Sequence, residues 1–238
     1  MLDRALLAAR GVFLSEDTHQ LLIDHRAEIE LPIAIRRRET AISGDVRIGA
    51  FSTAHGSIDE SVARVGRYCS IAWGVHFATF EHPLDRITTH GMTYHAGYFG
   101  HGPAPAPIPP QERIVIENDV FVGERAYIKG GVTLHTGCVV GAHAVVTRDV
   151  PPYAVVAGNP ARVMKMRFDD ATIARLLASQ WWRFDLRRVP FSLGDLERTL
   201  TFIEARHLPV YEGERVSGAE LVRDAKSLEA GPGAIVRA

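Results

Sequence analysis

The chain has 238 residues, 46% of them hydrophobic, and its 27 Lys+Arg against 28 Asp+Glu leave a formal net charge of −1. That length supports one sizeable core with appendages rather than two domains. The balanced charge speaks against a nucleic-acid surface or a polybasic membrane contact, which need a local basic excess; the one cluster, Arg36-Arg37-Arg38, reads as a solvated edge.

The opening MLDRALLAARGVFL lacks an apolar core followed by a small-residue cleavage site. No apolar run approaches the roughly 18 residues of a bilayer span, so a cytoplasmic location is expected. Residues 1–41 carry LLAARGVFL and HQLLIDHRAEI, compatible with short helices or a strand pair capping a repeat array. Six-residue units begin near Ile42 (ISGDVR) and Ile48 (IGAFST), slip within AHGSIDESVAR by about one residue, and resume at Val65 (VGRYCS) and Ile71 (IAWGVH). The slip predicts a bulge or short loop at a corner.

After Phe77 the pattern stops until Ile114. A run this long without inward-facing periodicity inside a repeat array is expected to be a functional excursion, spanning about 80–113. It holds His82, His90, His95 and His101, the aromatics Tyr94, Tyr98 and Phe99, and the stiff return PAPAPIPP.

From Ile116 to Val150 the chain reads IENDVF, VGERAY, IKGGVT, LHTGCV, VGAHAV, VTRDVP. Bulky aliphatics recur at Ile116, Val122, Ile128, Leu134, Val140 and Val146, with Val120, Ala126, Val132, Cys138, Ala144 and Val150 four positions on. A period of six fits neither a helix nor a hairpin strand. It fits a three-sided parallel β-helix with about three repeats per coil. Cys69 and Cys138 fall at the small inward position, where a thiol behaves as a small hydrophobe rather than a nucleophile or half of a disulfide.

Beyond the β-helix domain, 42–162, ATIARLLASQWW and LGDLERTLTFIEARH place Ile173, Leu176 and Leu177, then Leu196, Leu200 and Ile203, at helical spacing. A helical segment over 163–211 is expected, with Trp181 and Trp182 packing as core. The polar, Gly-rich stretch 212–238 reads as a mobile tail containing a short helix.

The repeat and the run VVTRDVPPYAVVAGNPARVMK that follows it resemble the left-handed β-helix (hexapeptide-repeat) acyltransferases, and VGRYCSIAWGVHFATFEHPLDRITTH resembles their xenobiotic and sugar acetyltransferase subgroup. The resemblance implies an all-β solenoid, a left-handed parallel β-helix, that takes acetyl-CoA as co-substrate and assembles as a homotrimer with intersubunit active sites. It assigns the general base to His82, a role suited to a neutral imidazole that titrates near physiological pH. Asp85 then either orients the imidazole, binds the acceptor or caps a turn. Pantetheine is expected along Gly123, Gly141, Ala142 and Ala157, with the adenosine phosphates near Arg148, Arg162 and Lys165. Tyr94, His90 and Tyr98 are the acceptor-binding candidates. Arg86, Gly91-Met92 and Phe121 depart from the subgroup pattern, which favours a sugar or glycoside acceptor of cell-surface polysaccharide type over an antibiotic, the alternative reading.

Some left-handed β-helices hold zinc through three histidines and act as carbonic anhydrases. Here His135 and His143 sit at the second and fourth positions of their repeats and do not share a face, so no metal is expected. A non-catalytic scaffold is the third class, distinguished by failure to bind acetyl-CoA.

Overall fold

The computed structural model describes residues 4–15, 20–36, 39–78, 81–95, 106, 108, 112–226 and 236–237. The short strands stack into parallel sheets that form the faces of a solenoid. One face runs through Val12–Leu14, Ile33–Ile35, Thr53–Ala54, Ser70–Ile71, Phe121–Val122, Val139–Val140 and Ala154–Ala157, closed by the antiparallel Arg162–Met166. A second contains Glu28–Glu30, Arg47–Ile48, Val62–Val65, Ile114–Ile116 and Thr133–Leu134. A third contains His76–Phe77, Tyr127–Ile128 and Val145–Val146.

Ile116 pairs with Leu134, Val122 with Val140 and Ile128 with Val146, each eighteen positions on, so three six-residue repeats make one coil. All twelve predicted inward residues are between 0% and 3% exposed. Burying each larger aliphatic is worth about 1.5–3 kcal/mol, an upper estimate because the unfolded chain already hides part of that surface. The slip before Val65 appears as a seventeen-residue spacing between Ile48 and Val65 and a bulge where Val62–Val65 meets Ile114–Ile116.

The solenoid starts earlier than the repeats suggested. Val12–Leu14 already pairs in parallel with Ile33–Ile35, and Glu28–Glu30 with Arg47–Ile48. These first coils are irregular: Val12 meets Ile33 twenty-one positions on, Ile29 meets Ile48 nineteen on, and no six-residue period survives. The cap is the helix Arg4–Ala9, with Leu7 buried, packed beside the helix Gly218–Lys226. The described residues 212–226 of the stretch read as a tail are thus a structural part of the first coil: Arg215–Ser217 pairs with Glu28–Glu30, and Val216 and Leu221 join the main core.

One corner of the coil explains how the C-terminal segment is held. Phe51, Tyr68, Asp119, Gly137 and Tyr153 all have positive φ, and from Tyr68 onward each amide donates to the carbonyl just before the column residue of the preceding coil: Ala50, Arg67, Asn118 and Thr136. The corner needs the left-handed conformation whatever the side chain. At Gly137 it also needs the absence of one, since a Cβ would lie 2.5 Å from the Tyr153 ring. The helices Asp170–Ser179 and Leu196–Glu204 pack on this corner around Tyr153, Leu176 and Leu200, with Ile173, Leu177 and Leu196 alongside. Trp181 packs there as expected, donating to the Tyr153 hydroxyl at 3.1 Å.

Candidate active site

His76–Phe77 is the last strand before the excursion; the His76 ring stacks on Tyr127 of the next coil at 5.4 Å. An ion pair of 3.1 Å between Glu81 and Lys129 ties the first loop residues to the coil. Arg86 Nη1 then donates to the carbonyls of Thr93 (2.6 Å) and Ala106 (3.0 Å), joining the outgoing and returning limbs. The departure noted at Arg86 is therefore used in bracing the loop. Gly91–Thr93 forms one 3₁₀ turn capped by His90, whose Nδ1 accepts the Met92 amide at 3.1 Å.

His82 stands exposed on this braced loop. Its Nδ1 lies 2.6 Å from the carbonyl oxygen of Thr89. A carbonyl can only accept, so Nδ1 carries the hydrogen and the lone pair sits on Nε2, the arrangement a proton acceptor requires. The Tyr94 hydroxyl is 3.0 Å from the same Nδ1, and the two rings meet edge to face at 5.8 Å. Asp85 is exposed in the adjoining bend, and among the described residues its carboxylate has no partner; the Thr89 carbonyl takes the orienting place considered for it. Tyr98 lies outside the described residues. No sequence signal could have identified Thr89, because its contribution is a backbone carbonyl.

The coenzyme candidates form a second corner. Gly123 donates to Val140 and Gly141 to Val156, stacking Gly123, Gly141 and Ala157 in successive coils. A Cβ on Gly123 would lie 2.6 Å from the Ala142 nitrogen, so the glycine is required by coil stacking itself. Ala142 is exposed, and its amide has no acceptor among the described residues, which suits hydrogen bonding to an extended amide-bearing arm. Arg148, Arg162 and Lys165 are exposed; among the described residues Arg162 bonds only the carbonyl of Ala161, leaving cationic donors for phosphate.

Both thiols are buried. Burial pushes Cys69 up to about 12 and raises Cys138 further above its ordinary value. His135 leans on Glu117 at 3.4 Å, and among the described residues no group of three His, Cys, Asp or Glu side chains could hold a metal ion.

Stacked six-residue repeats, interrupted once by a loop presenting a histidine of defined tautomer, place the molecule among the left-handed β-helix transferases. Residues 113–148 match the family model of the bacterial transferase hexapeptide (six repeats). A chloramphenicol acetyltransferase of Agrobacterium fabrum is 38% identical over 136 residues, covering 55% of this chain and 65% of that protein. A probable macrolide acetyltransferase of Lysinibacillus sphaericus is 35% identical over 123 residues, covering 50% and 68%. A virginiamycin A acetyltransferase of Staphylococcus aureus is 36% identical over 140 residues, covering 56% and 64%. The chain belongs to the hexapeptide-repeat acetyltransferase family.

Proposed function

We propose that the protein transfers the acetyl group of acetyl-CoA to a hydroxyl of a small-molecule acceptor, with His82 as general base. The observation that carries this reading is the 2.6 Å contact of His82 Nδ1 with the Thr89 carbonyl, which leaves Nε2 basic on an exposed, braced loop. Nε2 takes the hydroxyl proton as the acceptor oxygen bonds to the thioester carbonyl carbon. The tetrahedral intermediate then expels the coenzyme sulfur, which receives that proton from the imidazolium, giving an ester and free CoA. Gly123, Gly141, Ala142 and Ala157 line the pantetheine path, and Arg148, Arg162 and Lys165 receive the phosphates. His90 and Tyr94 flank the acceptor. The enzyme works as a homotrimer in the cytoplasm, with each site between subunits; no helix among the described residues is long and apolar enough to cross a membrane.

The acceptor is of antibiotic type. This is the reading the sequence placed second; it gains weight from the names of the relatives and from Arg86, whose use as a loop brace removes one argument for a different pocket. A saccharide hydroxyl is the other arm of the test. Acetyl-CoA consumption is measured against chloramphenicol, a streptogramin, a macrolide, monosaccharides and nucleotide sugars. Turnover with a member of the first three supports the reading. Turnover confined to sugars restores the saccharide acceptor, and absence of acetyl-CoA binding favours a scaffold.

A further inference from the structure

Two positions of the left-handed corner column lack a ring. Asp119 and Gly137 lie between Tyr68 and Tyr153, so the column is recessed there, and the helices Asp170–Ser179 and Leu196–Glu204 close over the recess. The space left is an open cleft of about 190 Å³. Leu176, Leu193, Leu196, Leu200 and Trp181 form much of its wall.

The floor is charged. Arg167 Nη1 donates to Asp119 Oδ2 at 2.8 Å and to the Gly137 carbonyl at 2.7 Å, which uses both hydrogens of that nitrogen. Among the described residues, Arg167 Nε and Nη2 have no acceptor and Asp119 Oδ1 has no donor. The Tyr153 hydroxyl accepts from Trp181 and has no described acceptor for its own hydrogen. Burial raises Asp119 above its ordinary value against the pull of Arg167, as expected of a carboxylate short of hydrogen bonds.

We propose that this cleft binds a free hydrophobic α-amino acid. Its ammonium meets the unused oxygen of Asp119, its carboxylate takes the Nε and Nη2 edge of Arg167, and its side chain enters among the leucines. A zwitterion leaves the charge balance of the floor unchanged and supplies both missing partners. A simple carboxylate would face Asp119, a simple amine would face Arg167, and a wholly apolar ligand would leave the floor unpaired. The cleft lies on the corner between Ile114–Ile116 and Phe121–Val122. The His82 loop leaves after His76–Phe77, on the face shared with Tyr127–Ile128, so this second site is separate from acetyl transfer.

Calorimetric titration of the full chain with L-leucine, isovalerate and isoamylamine tests this without acetyl-CoA. Leucine should bind one to one, about tenfold or more tighter than either isostere, the difference expected when a charged hydrogen bond is missing. Asp119→Asn should weaken leucine by a similar factor and tighten isovalerate, whose carboxylate then no longer faces a charged side chain. Leu193→Trp, at a half-exposed position on the wall, should block leucine while the melting temperature stays at the wild-type value. No leucine binding, isovalerate binding as tight as leucine, or leucine binding unaffected by Leu193→Trp overturns the proposal.

Discussion

The His82 Nδ1 hydrogen is held by the backbone carbonyl of Thr89, 2.6 Å away and seven residues further along the same loop. A backbone acceptor has no charge to lose at low pH, so the tautomer that leaves Nε2 basic depends on loop conformation rather than on a carboxylate such as Asp85. His82→Ala should lower kcat by roughly 10²–10⁴ and leave acetyl-CoA affinity near wild type, because only the transition state uses the base. His82→Asn should be about as inactive. A variant with most of its kcat retained would mean that the base lies elsewhere.

Tyr94 shares the same nitrogen at 3.0 Å but is the second acceptor for one hydrogen. Tyr94→Phe should reduce kcat by less than about tenfold, the worth of one neutral hydrogen bond, because Thr89 still fixes the tautomer. Asp85→Asn should be milder still in kcat if the residue acts only on the acceptor, and KM is the parameter to follow. A loss with Asp85→Asn as large as with His82→Ala would make Asp85 the orienting group after all.

Cys69→Ala and Cys138→Ala should each cost on the order of 1 kcal/mol in chemical denaturation, for a small buried side chain, and leave turnover intact. Both thiols are buried with their pKa values raised, so at neutral pH they stay protonated. Iodoacetamide should label neither until the protein unfolds. Inactivation of folded enzyme by stoichiometric labelling would point to an acyl-enzyme instead.

Arg67 joins the N-terminal coils to the C-terminal segment. Its guanidinium makes a two-point contact with the buried Glu30 and also donates to the carbonyls of Arg183 and Tyr211. Arg67→Ala should cost about 3 kcal/mol, at the low end for removing one partner of a buried pair because both side chains keep some exposure. Burial works to raise Glu30, yet the bonds from Arg67 and the Ala50 amide outweigh it and hold it below its ordinary value. A depressed folded-state value means the contribution is complete above the unfolded glutamate's ~4.3 and disappears as pH falls through the folded value. The stability difference between wild type and Glu30→Gln should therefore shrink in acid denaturation below about pH 4. A difference that stays constant with pH would exclude the ion pair as its cause.

The repeat from Ile116 to Val150 was legible because every unit solves the same packing problem, and a six-residue period can be read without knowing what each residue touches. The helices around Leu176 and Leu200 were legible for the same reason at a different period. His82 could be singled out as a candidate because the motif around it is local in sequence. The first coils hid because rung lengths of nineteen and twenty-one residues erase the period although the strands still pair. Val216 and Leu221 looked like parts of a tail because their partners lie nearly two hundred residues away on the first coil. The choice of Thr89 over Asp85 as the group beside His82 depended on where a loop backbone turns, and the Asp119–Arg167 floor on a corner conformation shared by residues with nothing in common as side chains. Periodic burial is a property of the chain read in order. Contacts between distant segments, and the direction of a carbonyl, exist only once the chain has folded.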